Sequence, residues 1–323
     1  MNGAETLYTH WALTAKWAGD LGALRAIGAW GCRARGTYKG ALLSALLSCI
    51  LLGAAATSSM AQEASAQSPA AAANDEALRK QAQNPVASLI SVPFQENWNF
   101  NIGPADRVQN VLNIQPVIPT SLTKDWNLII RWITPVIYQP VSVPTGDGST
   151  FQKTGYYGLG DMQPQFFFVP KTKKLIVGFG PQFLLPTATK TGVLGQGKFG
   201  LGPTVVALAQ PGKWTVGALA NNVWSVAGHS NLPDVNQFVL QYFINYNMQK
   251  GWYLASQPIL TANWNAASGS RWVVPFGGGV GRIMKFGRQP VNLQAQFFGN
   301  AVHPPGASPW GMRVQIVLLF PKK

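Results

Sequence analysis

Apolar and polar residues alternate along most of the chain from residue 91 onward, as they do in β-strands that have one apolar face. Twelve segments show this alternation, and connections rich in Gly, Pro and Lys separate them. They span about 91–102, 107–119, 126–139, 157–169, 174–186, 199–210, 214–226, 235–248, 252–265, 271–283, 289–302 and 311–320. An even number of strands is typical of bacterial single-chain β-barrels.

Aromatic residues stand at both ends of several of these segments. Trp126 and Tyr138, and likewise Trp252 and Trp264, lie twelve positions apart on one face of an alternating strand. At about 3.3 Å per residue and a tilt of about 45°, this spacing covers roughly 28 Å along the membrane normal. The apolar band of a transmembrane barrel is about 25 Å tall and has aromatic belts at both rims. We therefore predict an all-β fold, an antiparallel transmembrane β-barrel of about twelve strands.

The composition fits this fold better than that of a soluble enzyme. Only 11% of the residues are charged, and 11% are aromatic. The net charge of +14 is shared with nucleic-acid-binding proteins, but several of the Lys and Arg residues fall in predicted turns and no basic helix is present. We therefore predict no nucleic-acid partner.

The start of the chain predicts export. The run from Ala41 to Ala56 is apolar, follows several basic residues, and precedes the small-x-small motif Ser59-Met60-Ala61. We interpret residues 1–61 as an N-terminal extension and a cleaved signal peptide, and we place the protein in a bacterial outer membrane. Both cysteines, Cys32 and Cys49, lie in the removed part, so the mature chain has no thiolate metal site.

Residues 62–90 are predicted to form a linker and a short helix, and residues 91–323 the barrel. The linker, 62–74, is rich in Ala, Ser and Gln, and the helix is expected from Asn74 or Asp75 to about Gln83. Short and long connections alternate between the strands, as periplasmic turns and outer loops do. The long ones are expected near 140–156, 187–198, 227–234, 266–270 and 303–310.

Proline is the main evidence against a barrel. Several prolines fall inside predicted strands, where each one removes a donor of the hydrogen-bond ladder, among them Pro116, Pro164, Pro181, Pro203 and Pro258. Three of them follow Gln directly, and this regular placement predicts β-bulges. The competing interpretation is a secreted soluble β-sandwich with proline on its edge strands.

The inward faces of the predicted strands carry many amides and few charges. We predict the following channel-lining residues: Asn97, Asn99, Gln115, Arg131, Asp161, Gln163, Gln165, Gln241, Asn245, Gln257, Gln294, Gln296 and Arg313. Amides donate and accept hydrogen bonds, so a ring of them can pass water and small polar solutes. The alternative is a closed structural barrel in which the amides bond one another.

The assignment of faces also applies to two acidic residues of the predicted strands. Asp161 is the candidate partner for Arg131 or Arg313, because it shares their inward face. Glu96 falls on the lipid face of its strand, which indicates a register slip in that segment.

Chemistry-bearing motifs are scarce. The two histidines after residue 61, His229 and His303, fall in predicted outer loops, and we predict no metal and no cofactor. The segment Gly228-His229-Ser230-Asn231 resembles the active site of outer-membrane phospholipase A, but there one residue separates His from Ser. Adjacent residues of a strand point to opposite faces, so this pair cannot readily act together. We predict a protein that is not an enzyme, with a lipid-acting barrel enzyme as the alternative.

Residues 84–322 resemble a family of bacterial outer-membrane porin-like proteins related to those associated with meta-pathway phenol degradation. The stretches that carry the resemblance are 84–95, 113–119, 158–164, 200–203 and 234–238. The resemblance implies an outer-membrane barrel for solute uptake, with membrane lipid and a small-molecule solute as its partners. It leaves the solute and the oligomeric state open.

Overall fold

The computed structural model describes residues 69–146, 150–171 and 175–321. These residues form one helix and one antiparallel sheet that closes on itself as a β-barrel. The predicted signal peptide lies outside the described residues. Within the described residues, no helix has the length and the apolar character that a membrane crossing requires.

The elements follow one another along the chain in a simple order. The helix α1 spans Pro69–Ala82, and the strands are β1 (Ile90–Ile102), β2 (Arg107–Ile114), β3 (Val117–Ser121), β4 (Trp126–Thr145), β5 (Thr150–Leu159), β6 (Gln163–Pro170), β7 (Leu175–Leu184), β8 (Lys198–Ala209), β9 (Trp214–Gly228), β10 (Asn236–Asn247), β11 (Trp252–Ser256), β12 (Ile259–Asn263), β13 (Trp272–Phe286), β14 (Gln289–Val302) and β15 (Trp310–Phe320). Single 3₁₀ turns lie at Gln249–Gly251 and Ser268–Ser270.

The fifteen segments make a twelve-stranded barrel, because three strands are interrupted. β2 and β3 both pair with β1 and β4, β5 and β6 both pair with β4, and β11 and β12 both pair with β10 and β13. β15 pairs with β1, which closes the ring. The predicted barrel is confirmed, and closure of the sheet removes the edge strands that a β-sandwich would have.

The Gln-Pro pairs lie at these interruptions. Gln115-Pro116 separates β2 from β3, Gln257-Pro258 separates β11 from β12, and Gln163-Pro164 opens β6. Backbone groups beside the first break still find partners, since the amide of Gln115 donates to Pro93 O at 2.9 Å and that of Trp132 to Pro116 O at 3.0 Å. Within a hydrocarbon layer every backbone polar group needs an internal partner, so these bonds allow the breaks to persist.

Three expectations were wrong in detail. The predicted loop 140–156 is mostly a hairpin, because the β4–β5 ladder continues from Pro140↔Gly155 to Thr145↔Thr150. Such a ladder satisfies its own backbone groups and can extend beyond a membrane. The helix begins at Pro69, before the predicted Asn74. The register is continuous at Glu96, which faces outward and accepts a hydrogen bond from Asn110 Nδ2 at 3.4 Å, and the register shift of β1 against β2 lies farther on, between Asn99 and Ile102.

The barrel has two distinct ends. We call the end that carries the tight connections 122–125, 210–213, 248–251 and 287–288 the turn end, and the opposite one the loop end. Outward-facing tryptophans stand near the turn end, where Trp214 is 45% and Trp252 42% exposed, and a second set with Trp224, Trp264 and Trp310 stands near the loop end. Exposed aliphatic and phenylalanine side chains fill the band between them. This is the outer surface that aromatic spacing predicted.

Part of the inner surface is apolar at the turn end, although buried polar residues such as Thr215 and Asn245 also lie there. A cluster of buried apolar side chains packs inside the lumen at this end, and we call it the turn-end cluster: Val86, Val117, Ile129, Phe167, Val169, Val206, Leu208, Leu219 and Phe243. All of these except Val86 belong to strands, and Val86 comes from the chain between α1 and β1. The expectation of a polar inner face along the whole barrel was therefore wrong at this end.

Candidate functional site in the barrel lumen

Amide side chains project inward next to the turn-end cluster and form a group that we call the amide belt. Its members are Gln95, Asn97, Gln115, Gln165, Gln182, Asn245, Gln257, Gln294 and Gln296. Several of them bond one another: Gln165 Nε2 donates to Gln182 Oε1 at 2.7 Å, and Gln257 Nε2 donates to Asn245 Oδ1 at 2.9 Å. The alternation of each strand places one such side chain after another on the inner face.

Arg131 of β4 reaches into this belt. Its Nη2 donates to Gln115 Oε1, and its Nη1 lies 3.5 Å from Gln165 Oε1. Within the described residues no carboxylate forms an ion pair with it. A guanidinium group in the barrel interior thus relies on neutral amide oxygens to replace its hydration.

Arg313 of β15 bonds both a side-chain amide and a backbone oxygen. Its Nε donates to Asn97 Oδ1 at 3.0 Å, and its Nη1 donates to the backbone oxygen of Gln257 at 2.8 Å. The amide of Gln257 in turn donates to Gln296 Oε1 at 3.0 Å. Side chains of the lumen therefore satisfy the backbone at the β11–β12 break, while the guanidinium also lies 4.9 Å from the ring centroid of Phe298.

Asp161 does not pair with either arginine, so that expectation was wrong. It lies in the β5–β6 interruption and is buried there. Its Oδ1 accepts the amide of Ala188 at 3.1 Å, and its Oδ2 accepts the amide of Gln196 at 2.5 Å. The carboxylate organises the connection between β7 and β8 and leaves the arginines as uncompensated positive charges.

Two cavities lie along the lumen. One, of about 100 Å³, lies between the belt and the chain that precedes β1, and its lining includes Asn84, Arg131, Gln241, Phe243 and Gln294. The other, of about 90 Å³, lies toward the loop end, and its lining is Gln163, Gln182, Leu184, Asn221, Val223, Val235, Gln237 and Val239. Each cavity combines amide groups with apolar walls, and the belt separates the two.

Several buried polar atoms of the lumen have no hydrogen-bond partner within the described residues. They are Thr204 Oγ1, Asn221 Oδ1, Asn245 Nδ2, Gln294 Nε2 and Gln296 Nε2. A buried polar group without a partner costs about 1–3 kcal/mol, so such groups interact favourably with any water or polar solute that reaches them.

The remaining predicted lining residues are Asn99, Gln163 and Gln241. Asn99 Nδ2 donates to Gln109 Oε1 at 2.8 Å, Gln163 Oε1 accepts from Gln182 Nε2 at 3.4 Å, and Gln241 lines the cavity next to the belt. Sequence reasoning missed Gln182, Thr204 and Asn221, although the alternation of their strands places them on the inner face. It also missed the chain before β1, which shows no strand alternation.

Other chemistry is sparse in the part of the chain that the structure describes. No group of three or more His, Cys, Asp or Glu side chains is arranged to hold a metal ion there. His229 and Ser230 lie in an exposed connection rather than on a strand. The amide of His229 donates to Gly197 O at 3.1 Å.

Comparison with known proteins supports the fold. No family model and no curated protein matches the chain. Among solved structures, an outer membrane channel from Pseudomonas putida F1 is 17% identical with a TM-score of 0.53, over 73% of this chain and 97% of that one. The NanC porin is 11% identical with a TM-score of 0.43 over 72% and 100% of the two chains. Outer membrane phospholipase A from Escherichia coli is 11% identical with a TM-score of 0.40 over 73% and 99%. Only the first likeness is close enough to support an argument, and that argument concerns the fold.

Proposed function

We propose that this protein is an outer-membrane channel through which small polar or weakly polar solutes pass passively. The observation that carries this proposal is the amide belt with its two arginines, which has a cavity on each side. Apart from Asp161, whose carboxylate binds the β7–β8 connection, the residues predicted from the sequence to line a channel would then form its wall, together with Gln182, Thr204 and Asn221. Solutes would exchange hydrogen bonds with the amides as these side chains change rotamer.

A closed structural barrel is the main alternative, since many of the amides bond one another. Two features favour the channel. A barrel that only needs a filled interior is at least as stable with apolar side chains, whereas buried charges and unpartnered polar atoms destabilise it. Among the described residues, the lumen nevertheless contains two guanidinium groups that form no ion pair with a carboxylate, and several polar atoms without a hydrogen-bond partner.

The charges of the lumen also support a preference among solutes. Arg131 and Arg313 place two positive charges in a narrow passage, and Asp161 is engaged with the β7–β8 connection. Because fixed positive charge repels cations, the passage should favour anions and neutral solutes.

Location and export belong to the same proposal. We infer that residues 1–61 are removed on export, that the barrel sits in a bacterial outer membrane, and that its turn end faces the periplasm. The exposed aromatic belts and the fold shared with a known outer membrane channel support this location. A relation to the proteins associated with phenol degradation rests on the sequence resemblance alone. We infer no catalytic role for His229, and we expect no phospholipid hydrolysis.

The test is single-channel recording in planar bilayers under a salt gradient. The purified protein should conduct, and its reversal potential should indicate a preference for anions. Arg131→Gln should shift that potential toward cation permeation, because it removes a lumenal positive charge. The matched control is Arg282→Gln, since Arg282 lies opposite Trp252 on the outer face. An unchanged potential in Arg131→Gln, with conductance intact, would remove Arg131 from the path.

A further inference from the structure

The chain between α1 and β1 enters the turn end of the barrel. We call residues 78–89 the N-terminal segment. Val86 is only 2% exposed and belongs to the turn-end cluster, whose other members come from β3, β4, β6, β8, β9 and β10. On another side, Ala87 and Leu89 pack with Val317 and Leu319 of β15. Ala82 packs against a third group, formed by Tyr253, Ala255 and Ile283. The segment therefore contacts the barrel wall on several sides of the lumen.

Hydrogen bonds fix the same segment to the rim. Gln83 and Asn247 bond reciprocally through their amides at 2.8 and 3.2 Å. Arg79 Nη1 donates to Met248 O at 3.0 Å, and Gln210 Nε2 donates to Lys80 O at 2.7 Å. These partners lie at two different connections of the turn end, so the segment is held in place from more than one strand pair.

The local sequence explains this geometry. Pro85 cannot continue a helix and disfavours helical backbone at the residue before it, so α1 ends at Ala82. Asn84 Oδ1 then accepts the amide of Val86 at 3.0 Å, and Asn84 O accepts the amide of Ala87 at 3.2 Å. This turn directs the small apolar side chains that follow into the lumen.

We propose that the N-terminal segment is an internal stopper that closes the turn end, and that solutes cross only when it leaves. The inference rests on the proposed channel function, and it adds a closed state and the element that opens it. Ala82, Gln83, Asn84 and Pro85 line the cavity below the amide belt, so the segment ends the passage there. Burial of the turn-end cluster favours the closed state, because undocking exposes apolar surface to water.

Thiol accessibility tests the stopper without requiring conduction. Because both native cysteines lie in the part inferred to be removed on export, Ala255→Cys gives the mature chain a single thiol, in the lumen beside Ala82. Gln83→Ala removes the reciprocal bond to Asn247 and should raise the labelling rate by a membrane-impermeant maleimide at least tenfold.

The matched control is Gln81→Ala, because Gln81 is exposed and lies only two residues before Gln83, in the last turn of α1. It should leave the labelling rate unchanged. Equal labelling in the Gln83→Ala and Gln81→Ala proteins, at the rate of the parent, would overturn the proposal. Heat-modifiable migration on gels verifies that each variant is a folded barrel.

Conductance provides the second readout. Val86→Asp places a carboxylate in the turn-end cluster and should release the segment, so the open fraction should rise several-fold. Ala77→Asp is its control, since Ala77 is exposed on α1. Joining Gln83→Cys to Asn247→Cys with a short thiol-specific linker should abolish the current in the Val86→Asp protein.

The outcomes separate the stopper from the channel. If every variant conducts as the parent does, and linking has no effect, the stopper is wrong and the channel stands. If labelling rises in Gln83→Ala but no variant conducts, the segment does undock, yet the channel function and the stopper role that depends on it both fail.

Discussion

The inner face of β8 changes character halfway along the strand. Toward the loop end it carries Lys198, two glycines and Thr204, whereas toward the turn end it carries Val206 and Leu208. All of these positions share the same inward alternation and are buried. The polar half lies beside the amide belt, since Gly202 pairs with Gln182 of β7, and the apolar half belongs to the turn-end cluster that contains Val86.

The difference shows that alternation identifies which side chains point inward, whereas the polarity of each side chain indicates whether its surroundings in the lumen are polar or apolar. On β8, the inward residues that share a cluster with Val86 are apolar, and those nearer the loop end are Lys, Gly and Thr. An apolar stretch on the inner face of a barrel is therefore evidence for a covering element. In this protein the covering element is the N-terminal segment, which immediately precedes β1.

The largest expected effect compares the two halves directly. Val206→Asp would bury a carboxylate among apolar side chains and should lower the free energy of unfolding by about 3–5 kcal/mol. Thr204→Asp, two residues earlier on the same face, should cost at least about 2 kcal/mol less, because its neighbour across the β8–β9 ladder is the amide residue Asn221 rather than an apolar side chain. Equilibrium unfolding of both variants in denaturant, from the same lipid vesicles, measures the difference. Equal losses in the free energy of unfolding would show that the surroundings of Thr204 accommodate a buried carboxylate no better than those of Val206.

Most of the fold could be predicted from the sequence, because a barrel wall repeats one local rule. Each of the twelve predicted strands is present, and alternation located β8 and β15 within a residue. The Gln-Pro pairs located irregularities at Gln115 and Gln257, where loss of a backbone donor has a local cause, although the predicted bulges are interruptions of the strand.

The rest depends on contacts between distant parts of the chain. Nothing near Val86 indicates that it packs with Phe167 or Phe243, since those contacts exist only once the barrel has closed. Asp161 was assigned to the arginines because it shares their parity, but the strand is interrupted at Asp161 and turns it to the β7–β8 connection. Burial and charge could be inferred from the pattern, whereas the choice of partner could not.

A second prediction concerns Val205, which lies between Thr204 and Val206 on β8. Val205 faces outward and is 49% exposed, between the aromatic belts marked on β9 by Trp214 and Trp224. Val205→Arg should lower the free energy of unfolding by about 2–4 kcal/mol, since arginine near the bilayer midplane of a barrel costs about that much. The measurement is unfolding from lipid vesicles, with Val205→Leu as the control that retains an apolar side chain. A cost below about 1 kcal/mol would place this surface outside the hydrocarbon.

The smallest expected effect lies at the loop end of the same strand. Lys198 Nζ bonds Asp234 Oδ1 at 3.0 Å, and Ser225 Oγ donates to the same oxygen at 3.2 Å. These bonds, led by that of Lys198, hold the pKa of Asp234 below its ordinary value of 3.8. A carboxyl group with a lowered pKa stabilises the fold above its unfolded pKa, and this contribution is lost as the pH falls through the folded pKa. Asp234→Asn should therefore be slightly less stable than the parent at pH 7, and equally stable near about pH 2.

Asp234 is largely exposed, so water screens its charge and the effect must be small, whereas Lys198 is buried at the end of the inner face. Thermal unfolding of parent and variant across this pH range measures the difference, and Asp125→Asn, at a turn near the opposite end, is the control for a general change in charge. If the stability gap persists at low pH, Asp234 acts through packing or through its bond with Ser225, and the ion pair of Lys198 is not what distinguishes the polar half of β8.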